Sequence, residues 1–141
     1  MGRTAQEPIR GRKGRAKHTE RILATLRGLG RPASAYDIQA RLAKTEHLAP
    51  PTIYRALGRL IEDGSVHKVE SLNAFVACSR GCHREPSVFA ICDRCGLVSE
   101  LTEPSIGKVV EAWSHAAQFS VTNAALELHG LCTNCGPGPS A

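Results

Sequence analysis

The sequence predicts an α+β protein in two parts: an N-terminal winged helix-turn-helix domain and a C-terminal α/β domain closed by metal knuckles. Three observations point there. Two C-x-x-C-G pairs, Cys92/Cys95 and Cys132/Cys135, stand far apart in the second half of the 141-residue chain. Charge is lopsided: residues 1–68 carry 14 Lys/Arg against 6 Asp/Glu, and residues 69–141 carry 4 against 7. Helical periodicity fills the first half, while short apolar runs dominate the second. A basic half joined to a mildly acidic, cysteine-rich half suggests a polyanion-binding domain fused to a metal-binding one; a merely solvated basic surface is the plain alternative. The composition divides into a basic arm over 1–17, a winged helix over 18–79, a metal-binding domain over 80–136 and a tail over 137–141.

Residues 1–17 hold Arg3, Arg10, Arg12, Lys13, Arg15 and Lys17 with almost nothing apolar, the composition of a disordered arm. Thr19 is a candidate N-cap for a first helix carrying Ile22, Leu23, Leu26 and Leu29, ended by G-R-P at 30–32. Ser34 with Asp37 three residues on is a capping box, and Ile38 and Leu42 face inward from the helix that follows. Pro50-Pro51 suits the first turn of a third helix, which runs to Glu62 and stops before Gly64. Its apolar positions are Ile53, Leu57, Leu60 and Ile61; Thr52, Arg55 and Arg59 share the other side. Helix, turn and basic helix form a reader of the DNA major groove, where the arginine fork bonds guanine O6 and N7 together. Strands over 66–71 and 74–78, around Leu72-Asn73, make the wing.

Beyond Arg80-Gly81 the expected order is β-β-α-β. Val88–Ile91 leads into Cys92, Leu97 to Leu101 returns, Pro104 opens a helix with Ile106, Val109, Val110, Trp113 and Ala117 on one face, and 119–131 forms a strand ending at Cys132. Two residues between cysteines let both thiolates point into one tetrahedral site, and the glycine after each pair permits the tight turn. A lone C-x-x-C is equally a redox motif; two pairs together favour metal.

No apolar run is long enough to span a membrane, and no apolar segment follows the N-terminal charges as in a secretory signal. Six cysteines without an export signal place the chain in a reducing compartment, the cytoplasm, where thiols serve as metal ligands. No hydrolytic triad, phosphate loop or paired-carboxylate arrangement is visible, so the sequence predicts no enzyme and no small-molecule substrate.

The stretches S-A-Y-D (34–37), P-P-T-I-Y-R-A-L (50–57), G-S-V-H-K-V-E-S (64–71), F-A-I-C-D-R-C-G (89–96) and L-H-G-L-C-T-N-C (128–135) resemble the ferric-uptake-regulator superfamily of bacterial metal sensors. V-H-K-V-E-S with the following Cys78 is closest to its zinc-uptake branch. The resemblance implies a homodimer with an N-terminal winged helix and a C-terminal α/β dimerisation domain. It implies a zinc-responsive transcriptional repressor that binds an inverted-repeat double-stranded DNA operator when zinc-loaded and shuts off zinc-uptake genes. Tyr36 and Arg55 are then base contacts, with the helix around Tyr54 in the groove. Two Zn2+ per subunit are implied: a structural ion on Cys92, Cys95, Cys132 and Cys135, and a regulatory ion on His67, Cys78, His83 and Glu100. One Cys, two His and one carboxylate also suit tetrahedral zinc by donor type.

Two departures matter. Cys82 is an extra thiol beside His83, either a replacement for Cys78 or a redox-sensitive spectator. E-P-S-V-F replaces the histidine cluster that precedes the first C-x-x-C in iron-sensing relatives, which argues against a sensor of iron or peroxide. A sensor of another metal or of peroxide within the same superfamily, or a thiol redox protein using the C-x-x-C pairs, is the alternative. His115 reads as solvated, His18 and His47 as a helix start and a loop, and His129 as a neighbour of the structural site.

Overall fold

The computed structural model describes residues 9–79 and 86–137, with side chains from residue 13 onward. The order is α1 (Ile9–Leu29), α2 (Ala35–Leu42), α3 (Pro50–Glu62), β1 (Val66–Val69), a 3-10 turn (Glu70–Leu72), β2 (Ala74–Ala77), β3 (Ser87–Cys92), β4 (Val98–Leu101), α4 (Pro104–Ala117) and β5 (Ala125–Gly130). Contacts divide the chain into two units: residues up to 68 with 74–78, and residues 69–73 with those from 79 onward.

In the first unit the three helices close on Ile22, Leu26, Ile38, Leu42, Ile53, Ala56, Leu57 and Leu60, with Val66 and Phe75 from the ribbon. Ser34 and Asp37 form the expected capping box: the Ser34 Oγ accepts from the Asp37 N–H at 3.1 Å, and the Asp37 carboxylate accepts from the Ser34 N–H at 2.9 Å. The Ser34 hydroxyl, which donates to the Asp37 carboxylate at 2.7 Å, and then the Ser34 N–H hold that carboxyl below its ordinary pKa. Gly30, at φ +59°, turns the chain out of α1.

The helix begins at Ile9, not at Thr19, so residues 9–17 of the expected disordered arm are helical; residues 1–8 lie outside the described ones. Thr19 is an interior residue whose hydroxyl bonds back to the carbonyls of Ala16 and Arg15 at 2.8 and 3.2 Å. Arg, Lys and Ala are good helix formers, and a helix turn needs no apolar stripe when it only extends a packed segment. The first wing strand is also shorter than expected. Glu70 and Ser71 leave the ladder for a 3-10 turn, closed by Asn73 in the left-handed region at φ 45°, because their N–H groups donate to the Glu127 carboxylate.

In the second unit the strand order is β4-β3-β5. β3 pairs antiparallel with β4 through the first knuckle and parallel with β5 through the α4 crossover. β5 starts at Ala125 rather than 119 because its partner β3 starts at Ser87, directly opposite. α4 is capped by Glu103, whose carboxylate accepts from the Ser105 N–H at 3.2 Å, and carries no buried residue. Val109, Trp113, Phe119, Leu126 and Leu128 are all exposed.

Candidate functional site

Strand register explains how two distant cysteine pairs meet. The parallel pairing of β3 with β5 sets Ile91 opposite His129 and Cys92 opposite Gly130, so both strands end at the same edge of the sheet. Cys92 closes one strand, and Cys132 follows the other by two residues. The four Sγ atoms of Cys92, Cys95, Cys132 and Cys135 lie within 4.8 Å of one another. Cys95 Sγ and Cys132 Sγ are 3.7 Å apart. Zinc–sulfur bonds of about 2.3 Å in a regular tetrahedron put sulfurs about 3.8 Å apart, so the cluster fits that ion.

The backbone builds the cluster. Gly96 donates to the Cys92 carbonyl at 2.9 Å and takes φ +73°, where a side chain would be strained. In the second knuckle Gly136 donates to the Cys132 carbonyl at 3.0 Å; a Cβ there would lie 2.8 Å from Leu131 Cβ. The Cys132 N–H points at Cys92 Sγ, 3.4 Å away. That donor first, then the Cys95 N–H, lowers the Cys92 thiol to about 6. The neighbouring Cys132 thiol, with burial, pushes Cys135 up to about 12. Four sulfurs this close cannot all ionise unaided; a divalent cation removes that repulsion. The five described cysteines, these four and Cys78, are all free thiols.

His67 and Cys78 come together in the first unit, their ligand atoms within 4.8 Å. The Cys78 N–H donates to the Ser65 carbonyl at 2.9 Å, which anchors the end of the ribbon. Glu100, in β4, accepts from the N–H and Oγ of Ser79 at 3.1 and 2.8 Å. His83 and Cys82 lie outside the described residues.

On the winged-helix unit Tyr36 and Tyr54 are 77% and 56% exposed, unusual for such large rings, and Arg55 is exposed beside them in sequence. Thr52, Arg55 and Arg59 line one groove with Ala56 and with Arg15 and His18 of α1. The sequence reading missed Arg15 and His18 as members of that face. Their signal was the spacing 15, 18, 22, 26, which continues the helical stripe of Ile22 and Leu26 upstream.

Among the described residues no helix is long and apolar enough to cross a membrane. The chain is 41% identical over 106 residues to the zinc uptake regulation protein of Escherichia coli K12, covering 72% of this chain but only 61% of that protein's length. It is 32% identical to a zinc uptake regulator solved in complex with zinc and DNA, with 89% of each chain covered and a TM-score of 0.76. It is 37% identical to holo XcZur, with 83% and 82% covered and a TM-score of 0.74. The family model for the Ferric uptake regulator family matches residues 15–129. Spanning most of the sequence and both units, that match makes the chain a member of the ferric uptake regulator family.

Proposed function

We propose that the protein is a zinc-responsive transcriptional repressor, which binds an inverted-repeat operator as a zinc-loaded homodimer and shuts off zinc-uptake genes. The observation that carries this reading is one helix, α3, that buries Ile53, Leu57 and Leu60 while leaving Tyr54 and Arg55 exposed. A helix built that way, in a winged-helix unit, presents side chains to a major groove rather than to a core. Likeness to a regulator solved with zinc and DNA supports the same partners here. Arg55 and Tyr36 are the base-reading residues in this proposal, with Thr52, Tyr54 and Arg59 along the same helix. The protein acts by binding rather than catalysis, in the cytoplasm.

Two zinc ions per subunit are part of the proposal. Cys92, Cys95, Cys132 and Cys135 hold the structural ion, which closes the sheet edge where both knuckles stand. His67, Cys78, His83 and Glu100 hold the regulatory ion; donor types support this, as does the closeness of His67 and Cys78. Zinc supplies charge and fixed geometry at such sites, not chemistry on a substrate. The large apolar side chains left exposed on α4 and β5, among them Val109, Trp113 and Leu128, support a homodimer, since such side chains are buried when two copies pair.

The test pairs metal content with DNA binding. Purified protein is expected to carry two zinc ions per subunit and bind an operator selected from random duplexes. Mild chelation should remove one ion and the DNA binding together, with the fold intact. Sequence-specific binding that survives loss of the weaker ion would sink the zinc response. No specific binding in any metal state would sink the repressor reading.

A further inference from the structure

We infer that the groove between α1 and α3 is a phosphate site and that its occupant is a backbone phosphate of DNA. The second clause rests on the reading of the chain as a DNA-binding regulator; the first does not. The groove encloses about 400 Å³ and is lined by Arg15, His18, Thr52, Arg55, Ala56 and Arg59. Among the described residues no carboxylate lines it. Helix geometry converges these donors: Thr52, Arg55, Ala56 and Arg59 follow i, i+3, i+4, i+7 on α3, and Arg15 and His18 follow i, i+3 on α1. Ala56, at the middle of the α3 set, leaves room.

His18 Nδ1 is shut off from solvent and has no hydrogen-bond partner among the described residues. The nearest carboxylate, Glu46, is 3.7 Å away, beyond hydrogen-bond distance, and is engaged by Arg21. Nδ1 thus lies on the Glu46 side of the ring, away from solvent, and the exposed remainder of the imidazole lines the groove. Guanidinium forks match phosphate oxygens two at a time, and a threonine hydroxyl adds a neutral donor. The chemistry therefore selects a phosphate monoanion or diester. A diester is favoured because the groove lies on the helix whose exposed side carries Tyr54 and Arg55. Arg59 then positions the helix on the duplex while Arg55 reads bases.

The experiment has two arms on the full-length, zinc-loaded protein. In the first, inorganic phosphate is titrated against the His18 imidazole resonances at constant ionic strength. A saturable shift is expected, weakened about tenfold or more in Arg59→Gln. Arg59→Lys, which keeps charge but loses the fork, should fall between. No shift in the wild type, or equal binding by Arg59→Gln at unchanged helix content, overturns the site. In the second arm, binding to a short mixed-sequence duplex is followed against salt. Arg15→Gln is expected to lower the log–log slope by about one per bound subunit without altering base preference. Phosphate binding lost in the variant with the slope unchanged overturns the DNA occupant and assigns the groove to a free phosphate-class anion. If the wild type binds phosphate but no duplex, the DNA reading fails and the anion site stands.

Discussion

His129 Nδ1 lies 3.0 Å from the Asp93 carboxylate, joining the strand before the second knuckle to the turn inside the first. Asp93 raises the His129 pKa, chiefly through that hydrogen bond. Its Nε2 sits 3.6 Å from Glu127, which in turn accepts the Glu70 N–H at 2.6 Å. Within the second unit, polar contacts thus run from the 3-10 turn to the metal knuckle. Groups that orient the surroundings of a metal site change its affinity without touching the ion. His129→Ala is expected to release structural zinc to a competing chelator about tenfold faster. A release rate equal to wild type would reduce the contact to surface decoration.

The knuckles themselves should be needed for folding. β3 is the only strand in its sheet with several buried residues, Val88, Phe89, Ile91 and Cys92, so apolar burial alone holds the unit weakly. Metal binding free energy is folding free energy in such a case. Cys95→Ser is expected to lose zinc, dimers and native content in the second unit. A soluble, dimeric, zinc-depleted variant with native circular dichroism would contradict this.

How far the sequence carried depended on which physics each element uses. The α2 cap was legible because Ser34 and Asp37 satisfy one another locally. Each cysteine pair was legible because two intervening residues bring both thiols to one turn; that the two pairs meet follows from the β3–β5 register. The start of α1 was not, since residues 9–17 add helix without burying an apolar stripe, and periodicity detects only stripes. Nor could the sequence foresee that Glu127 would pull Glu70 and Ser71 out of the ribbon, a contact across more than fifty positions. The orphaned His18 nitrogen is of the same kind: its setting depends on Glu46, from a distant loop.

Asp37 supplies a pH test. Its folded pKa is depressed, so its contribution is present above its ordinary value of 3.8 and lost as pH falls through the lower folded one. Ser34→Ala removes the hydroxyl that anchors this carboxylate and should cost about 1 kcal/mol at neutral pH. The gap between variant and wild type should narrow below about pH 4, as Asp37 protonates. Urea titrations at neutral and acid pH measure it; a gap that widens in acid would mean the box does not depress Asp37.

Arg55 lines the groove and is also exposed beside Tyr54, so its role is tested apart from that of Arg59. Arg55→Ala is expected to weaken operator binding by about 1–3 kcal/mol and to relax base preference at one position in each half-site. Competition against single-base operator variants reads the preference directly. Uniform weakening across all sequences would place Arg55 with the phosphate contacts instead.

The regulatory ligands give the sharpest test, because two thiols compete for one role. His67 is paired in space with Cys78, which is buried and held at the end of the ribbon by the Ser65 carbonyl. A thiol already fixed beside an imidazole loses less freedom on metal binding than one elsewhere. Cys78→Ser and His83→Ala are therefore expected to lose one zinc per subunit and the zinc dependence of DNA binding. Thermal unfolding should change little, since the four knuckle cysteines remain. A coupling of about 1–3 kcal/mol is enough to switch operator occupancy. Zinc stoichiometry, melting curves and operator affinity, each at saturating and chelated zinc, separate the outcomes. Full zinc response in Cys78→Ser with its loss in Cys82→Ser would transfer the role to Cys82. An unchanged response in Cys78→Ser, His83→Ala and Cys82→Ser alike would place zinc sensing on other residues.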